Sequence, residues 1–237
     1  MFSKSAALYD AIYLNTGKDY AAEAERVHAF VNQYKQACGD HLLDVACGTG
    51  IHIISLSQHY QVEGLDLDEK MLEIARKKCP QLLFHQGDML DFSLDHHFDV
   101  ITCLFSSIGY VKTLPRLHQA IANMAGHLTP GGVLVVEPWI SPEKWTSGKF
   151  YATFVDQPDL KIARMNFSEN KDRLSFFTFH YLVASSQGIQ HFTELHELGL
   201  FTEAEYLESF RTAGLDAFQD AEGLDGRGLY IGRKRIL

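Results

Sequence analysis

Two glycines and three aspartates are the residues whose types and spacing suggest chemistry. Leu43-Asp44-Val45-Ala46-Cys47-Gly48-Thr49-Gly50 joins a short apolar run to a helical stretch. Glycines at such a junction let a ligand come close to the backbone. A dinucleotide fingerprint requires a third small residue at position 53, where Ile53 stands, and no Walker lysine follows. A diphosphate at this helix start is therefore disfavoured. Asp66 closes the next apolar run sixteen positions after Gly50. That separation holds a helix, a turn and a strand, which brings its carboxylate beside the loop and within reach of ribose hydroxyls. Asp88, in Gln86-Gly87-Asp88-Met89, follows a third run, where a carboxylate can accept from an exocyclic amine. Each acid alone has a plain explanation: Asp44 caps the next turn, and Asp66 or Asp88 is a solvated loop acid. In the order and spacing of successive strand–helix units they suit a nucleoside without phosphates and with a positive charge, the adenosyl sulfonium of S-adenosylmethionine.

Positioning these residues takes alternating strands and helices. Residues 18–36 carry Ala21, Ala24, Val27, Val31 and Tyr34 at helical spacing, one apolar face. Strands are expected at 41–46, 62–66, 82–85, 98–104 and 133–137, with helices at 51–59, 68–78 and 114–128 between them. The opening Asp68-Glu69 suits a helix amino terminus. Continuous apolar strands alternating with helices imply a parallel sheet covered on both faces. After Pro138 the texture changes: residues 151–201 are rich in aromatic and β-branched side chains and read as several antiparallel strands. A helix at 203–213 and strands at 215–218 and 228–233 close the chain. The expected organisation is one α/β domain, residues 1–140 and 202–237, carrying an antiparallel β insert at 141–201.

Composition narrows the partners. Lys+Arg 21 against Asp+Glu 30 gives a formal charge of −9, which argues against a nucleic-acid-binding surface. No apolar run approaches the roughly 18–20 residues that cross a bilayer, and the first ten residues do not read as a secretory signal. A soluble, cytoplasmic protein is expected. Cys38, Cys47, Cys79 and Cys103 are scattered and expected reduced, and the dispersed histidines give no metal-ligand spacing.

The glycine loop, Asp66, Gln86-Gly87-Asp88-Met89 and His127-Leu128-Thr129-Pro130-Gly131-Gly132 resemble the landmarks of class I S-adenosylmethionine-dependent methyltransferases. Tyr9-Asp10 with Tyr13, Gly17-Lys18-Asp19-Tyr20-Ala21-Ala22-Glu23, Phe105-Ser106-Ser107-Ile108-Gly109-Tyr110, Glu137-Pro138-Trp139 and Gly226-Arg227-Gly228-Leu229 are similar to segments of the nucleotide-linked amino-sugar N,N-dimethyltransferases. The resemblance spans nearly the whole chain and implies a Rossmann-like sheet with helices on both faces and an antiparallel insert after the fifth strand. It implies that Tyr13 reaches the methionine end of the cofactor, that Ala46 and Gly48 offer backbone, that Asp66 holds the ribose, and that Asp88 and Met89 hold the adenine. Leu104 is expected to line the methyl-donor pocket, and Lys18, Tyr20, Asp44, Gly50, Leu67 and Met71 complete the implied cofactor set.

The acceptor is expected on the insert side. Glu137, Pro138, Trp139 and Trp145 follow the fifth strand, where the aromatic residues suit stacking on a base or sugar. Arg227, and second to it Arg164, are candidates to meet a substrate diphosphate. Methyl transfer from a sulfonium to an amine is an in-line displacement in which orientation supplies most of the acceleration, so a strong base is not obligatory. His118, on the helix after the fourth strand, is a candidate proton acceptor, its plainer reading being a helix-surface histidine. The expected activity is N,N-dimethylation of a TDP-linked deoxyamino sugar, with S-adenosylhomocysteine as by-product. The alternatives are methylation of another small amine or hydroxyl, or cofactor binding without catalysis. A homodimer is expected from the commonness of two-fold assemblies.

Overall fold

Leu42 and Leu43 are neighbours on one strand, both fully buried, and each belongs to a different apolar cluster. That is how a strand covered on both faces must be built. The computed structural model describes residues 2–236; Met1 and Leu237, the outer ends of the expected domain, lie outside the described residues. Strands β1 (His41–Val45), β2 (Gln61–Asp66), β3 (Leu83–Gln86), β4 (Phe98–Cys103) and β5 (Leu128–Val136) are parallel. After the four strands of the insert, β6 (Phe150–Gln157), β7 (Leu160–Lys171), β8 (Leu174–Ser185) and β9 (Gly188–Gly199), come β10 (Leu215–Asp220) and β11 (Leu229–Lys234). These last two join the first sheet antiparallel, giving the order β10-β11-β5-β4-β1-β2-β3.

Helices α2 (Tyr20–Tyr34), α3 (Ile51–Leu56) and α4 (Glu69–Lys78) cover one face through Ala24, Val27, Val31, Ile53, Leu56 and Leu72. Helices α5 (Leu114–Gly126) and α6 (Glu203–Thr212) cover the other through Leu117, Ile121, Met124, Tyr206 and Phe210. The residues at the start of α4 act as the sequence suggests: the Asp68 side chain accepts from the Lys70 N–H at 3.0 Å, satisfying one otherwise unpaired donor of the first turn.

Most boundaries shift by a residue or two, and three of the shifts bear on the site or its packing. The fourth strand stops at Cys103, one residue short of Leu104, because Phe105 and Ser106 both take positive φ, 53° and 60°. The third helix ends at Leu56 where a run to His59 was expected. The fifth strand starts at Leu128, five residues before the expected Val133, and absorbs the Pro130-Gly131-Gly132 stretch; Gly131 has φ +78°, and its carbonyl accepts from the N–H groups of Gln36 and Ala37.

The insert is a second sheet, a four-stranded antiparallel meander of β6 (Phe150–Gln157), β7 (Leu160–Lys171), β8 (Leu174–Ser185) and β9 (Gly188–Gly199). Register puts Thr153, Arg164, Tyr181 and Phe192 across from one another on one face, and Ser168, Phe177 and His196 on the same face. This face packs on Ile12 of α1 (Tyr9–Asn15) and on Tyr110, Trp139 and Trp145. The carboxyl ends of the parallel strands, the amino-terminal segment and the inner face of the second sheet thus enclose one space.

Candidate active site

That space is a cavity of about 800 Å³, within the range of small-molecule sites. The glycine loop forms its floor. Ala46, Gly48 and Gly50 take φ of +59°, +57° and +74°; at Gly48 nothing lies within 4 Å of where a Cβ would stand, leaving bare backbone toward a ligand. The buried Asp66 carboxylate accepts from the Gly48 N–H and the Asp68 N–H, both at 2.8 Å. It thereby ties the end of β2 to the loop. Burial pushes its carboxyl up, while these two donors pull the other way. Each Asp66 oxygen keeps acceptor capacity for a further donor. Asp88 caps the turn after β3, accepting from the Leu90 N–H at 3.1 Å, and lines the cavity together with Leu67, Met71 and Met89.

The opposite wall is aromatic and carries a guanidinium. Tyr13, on α1, meets Tyr9 at 4.6 Å and Phe105 edge-on at 4.9 Å between ring centroids. Burial pushes the Tyr13 phenol up, against the pull of Arg164. Arg164 on β7 is buried, donates to Tyr13 Oη at 3.2 Å and Thr153 Oγ1 at 3.3 Å, and stands 4.5 Å over the Phe179 ring. Among the described residues it has no carboxylate partner. Arg227 also lines the cavity but is already neutralised. It pairs with Asp225 and with the buried Glu137, the latter at 3.0 Å, and donates to Ser106 Oγ at 2.7 Å.

Similarity to known proteins agrees with this construction. A family model described as a methyltransferase domain matches residues 42–132. A dTDP-3-amino-3,4,6-trideoxy-α-D-glucopyranose N,N-dimethyltransferase of Streptomyces venezuelae is 42% identical over 229 residues, covering 96% of each chain. This chain belongs to the amino-sugar N,N-dimethyltransferase family. A dTDP-4-amino-2,3,4,6-tetradeoxy-D-glucose N,N-dimethyltransferase of Saccharopolyspora spinosa is 41% identical, over 96% of this chain and 91% of its own. The crystal structure of Streptomyces venezuelae DesVI superposes with a TM-score of 0.91 at 41% identity, covering 97% of this chain and 98% of that one. The S-adenosylmethionine-bound structure of CalS10, an amino pentose methyltransferase from Micromonospora echinaspora, gives 0.86 at 35% identity, with 96% of both chains covered. The sheet with its antiparallel insert is the fold of this family.

Within the dimethyltransferase cavity the structure gathers Tyr13, Ala46, Gly48, Asp66, Leu67, Met71, Asp88, Met89, Trp139, Trp145, Arg164 and Arg227. It does not gather the remaining expected residues. Asp44 is buried behind the loop, accepting from Thr102 Oγ1 at 2.7 Å, and burial pushes its carboxyl up to about 6. Gly50 faces Ala75, its missing Cβ position 3.2 Å from that side chain, which lets α4 pack close. Leu104 is core, and the left-handed turn presents Phe105 to the cavity instead. Glu137 and Pro138 are buried supports: a Glu137 carboxylate oxygen accepts from the Phe105 N–H, and the Pro138 carbonyl accepts from Ser106 Oγ.

Lys18 lies in an adjoining cavity of about 710 Å³ that shares Tyr13, Phe105 and Asp225, paired with Glu23 and 4.1 Å over the Phe105 ring. Tyr20 is buried against His52. His118, half-buried on α5, is not part of the cavity wall. Missing from the sequence reading as site residues were Tyr9, Phe105, Ser106, Tyr110, Phe177 and Phe179, which line the cavity. The signals for Phe105 to Tyr110 were the resemblance of that segment to the family and its place directly after an apolar strand, and neither gave the residues a role.

Proposed function

We propose that the enzyme transfers two methyl groups in succession to the amino nitrogen of a dTDP-linked deoxyamino sugar, with the glycine-loop side holding the cofactor and residues 141–201 supplying much of the acceptor side. The observation that carries this reading is Arg164: a buried guanidinium without a carboxylate among the described residues, in the same cavity as Gly48 and Asp66. A buried cation calls for a counter-charge, and a substrate diphosphate provides one in a geometry that guanidinium meets with paired N–H groups.

The residues fit S-adenosylmethionine. Gly48 leaves open space at its Cα, Asp66 retains acceptor capacity toward ribose hydroxyls, and Asp88 with Met89 offers a carboxylate and an apolar edge for adenine. When bound, the cofactor supplies a methyl group made electrophilic by its sulfonium. The protein's part is to orient the neutral amine and exclude water, the contribution that proximity makes largest. Phe2, Tyr9 and Tyr13 cover the cavity, held down by Ser3 donating to Asp68 and Ser5 donating to Glu194. Trp139 is fixed by its indole N–H, which donates to Ser175 Oγ at 2.9 Å, and presents an aromatic face on the acceptor side.

Incubation with S-adenosylmethionine and either dTDP-3-amino-3,4,6-trideoxyglucose or dTDP-4-amino-2,3,4,6-tetradeoxyglucose tests the reading. These are the acceptors named for two relatives of nearly equal identity, 42% and 41%, so overall identity does not separate the 3-amino from the 4-amino position. The product is expected to gain one and then two methyl groups with at least one of them. Cofactor binding with no transfer to either sugar would sink it.

A further inference from the structure

His196 is buried in the inner face of the second sheet, its Nδ1 2.6 Å from Tyr110 Oη. Its Nε2 is buried with no hydrogen-bond partner among the described residues, and the ring lies among Phe2, Phe177 and Phe179 at centroid distances of 4.4, 5.5 and 4.9 Å. Tyr110 follows β4 on a short 3-10 turn and lines the cavity. None of this is needed to hold the cofactor.

An imidazole in such surroundings is neutral; burial pushes its pKa down to about 3. Of its two tautomers, the one with the proton on Nε2 places that N–H beside the inclined rings of Phe2 and Phe179, where N–H···π contact is weak but favourable. The other would bury a bare lone pair among the same rings. Nδ1 is then the acceptor, and the Tyr110 hydroxyl donates to it. With its proton committed to His196, Tyr110 Oη has only acceptor capacity left for the cavity.

We propose that Tyr110 is the group that orients the acceptor nitrogen, by accepting a hydrogen bond from its N–H, and that His196 is the positioning residue that fixes Tyr110 as an acceptor. This rests on the amino-sugar reading above. In the first transfer the amine lone pair forms the N–C bond as the C–S bond breaks. The nitrogen gains positive charge, its N–H bonds strengthen toward Tyr110 Oη, and one proton then leaves to solvent. The secondary amine repeats the sequence with its remaining N–H. The neutral tertiary amine has no N–H, so nothing holds its lone pair toward the methyl donor, and methylation ends at two. An acceptor placed where positive charge develops needs no reorganisation during the step.

The test uses purified full-length enzyme and whichever of the two dTDP-amino sugars it turns over, as the primary amine and as its monomethyl form. Tyr110→Phe is expected to lower kcat for both transfers by about 10- to 100-fold, the range of one hydrogen bond to a charged group, with cofactor affinity unchanged. His196→Leu should match that loss. His196→Asn, which keeps an acceptor near the Nδ1 position, should restore most of kcat, and Tyr110→Phe with His196→Leu together should be no slower than Tyr110→Phe alone. Thermal denaturation separates a folding loss in His196→Leu, and Tyr110→Phe stands as the test without it. Wild-type turnover by Tyr110→Phe overturns this inference alone. No turnover of either sugar by the unaltered enzyme overturns it together with the acceptor assignment.

Discussion

Arg227 Nη2 lies 3.0 Å from Oε1 of Glu137, a carboxylate with no solvent exposure, and the same guanidinium donates to Ser106 Oγ. Glu137 in turn accepts from the Phe105 N–H. Phe105 and Ser106 are consecutive non-glycine residues with positive φ, a conformation that costs roughly 1–2 kcal/mol per residue. The ion pair therefore spans both ends of a strained turn at the cavity wall. Burial pushes the Glu137 carboxyl up and Arg227 opposes it.

The two arginines should separate by experiment. Arg164→Ala removes the unpaired guanidinium and is expected to weaken dTDP binding by about 10- to 100-fold, with little effect on folding. Arg227→Met leaves Glu137 buried without its partner and should cost about 3–5 kcal/mol of stability. Pairing it with Glu137→Gln should recover part of that. Titration calorimetry with dTDP and urea denaturation of each variant check both, and a larger dTDP loss in a well-folded Arg227→Met than in Arg164→Ala would reverse the assignment.

Asp66 is expected to matter twice, as a hydrogen-bond acceptor for the loop and as a cofactor ligand. Asp66→Ala frees the N–H groups of Gly48 and Asp68 and should weaken S-adenosylhomocysteine binding by about 100-fold or more, two or more hydrogen bonds being lost. Asp66→Asn retains one acceptor oxygen and should fall between. Equal affinity in wild type and Asp66→Ala, measured by calorimetry, would remove Asp66 from the site.

The parts of the site legible in the sequence were those set by local chain geometry. Asp66 ends a parallel strand and Gly48 and Asp88 lie in the loops just after two others, and strand–turn–helix spacing alone carries such residues to one edge. The sequence put Arg227 before Arg164 as a diphosphate partner and did not report how the fold surrounds either one: Tyr13 is 151 positions from Arg164, and Ser106 and Glu137 are 121 and 90 from Arg227, although Asp225 is its near neighbour. No spacing rule reports the buried Glu137 carboxylate from that distance. Leu104 is expected at the wall from the family resemblance, but the left-handed turn at Phe105 places its neighbour on the cavity and Leu104 in the core. The second sheet was visible as aromatic, β-branched texture, but which face turned inward depended on a register fixed by pairing across four strands.

Asp44 supplies a pH dependence. Its folded pKa of about 6 lies above the usual carboxylate value, so between about pH 4 and 6 the folded state binds the extra proton. Stability from this group is thus highest at low pH and declines as pH rises through that window. Asp44→Asn stays neutral and can still accept from Thr102. Relative to wild type, the variant should gain up to about 3 kcal/mol between pH 4 and 7, levelling off above the folded pKa. Urea denaturation at several pH values measures the difference, and a difference that does not change with pH contradicts the buried-carboxylate account.

The amino-terminal cover is latched to the cofactor side by Asp10. Its carboxylate accepts from Thr49 Oγ1 at 2.6 Å and pairs with Lys78, whose Nζ also donates to the Thr49 carbonyl at 3.1 Å. The latch joins α1, which carries Tyr13, to the glycine loop and to α4. Asp10 and Lys78 are each about one-quarter exposed, so screening limits the pair to a modest contribution. Asp10→Ala should therefore speed S-adenosylhomocysteine dissociation by about 2- to 5-fold, with the chemical step in a single turnover unchanged. It should also quicken proteolytic cleavage within residues 2–18, and bound S-adenosylhomocysteine should slow that cleavage in wild type more than in the variant. Stopped-flow release and timed proteolysis give the two readouts, and an unchanged release rate would mean that the segment stays closed without the latch.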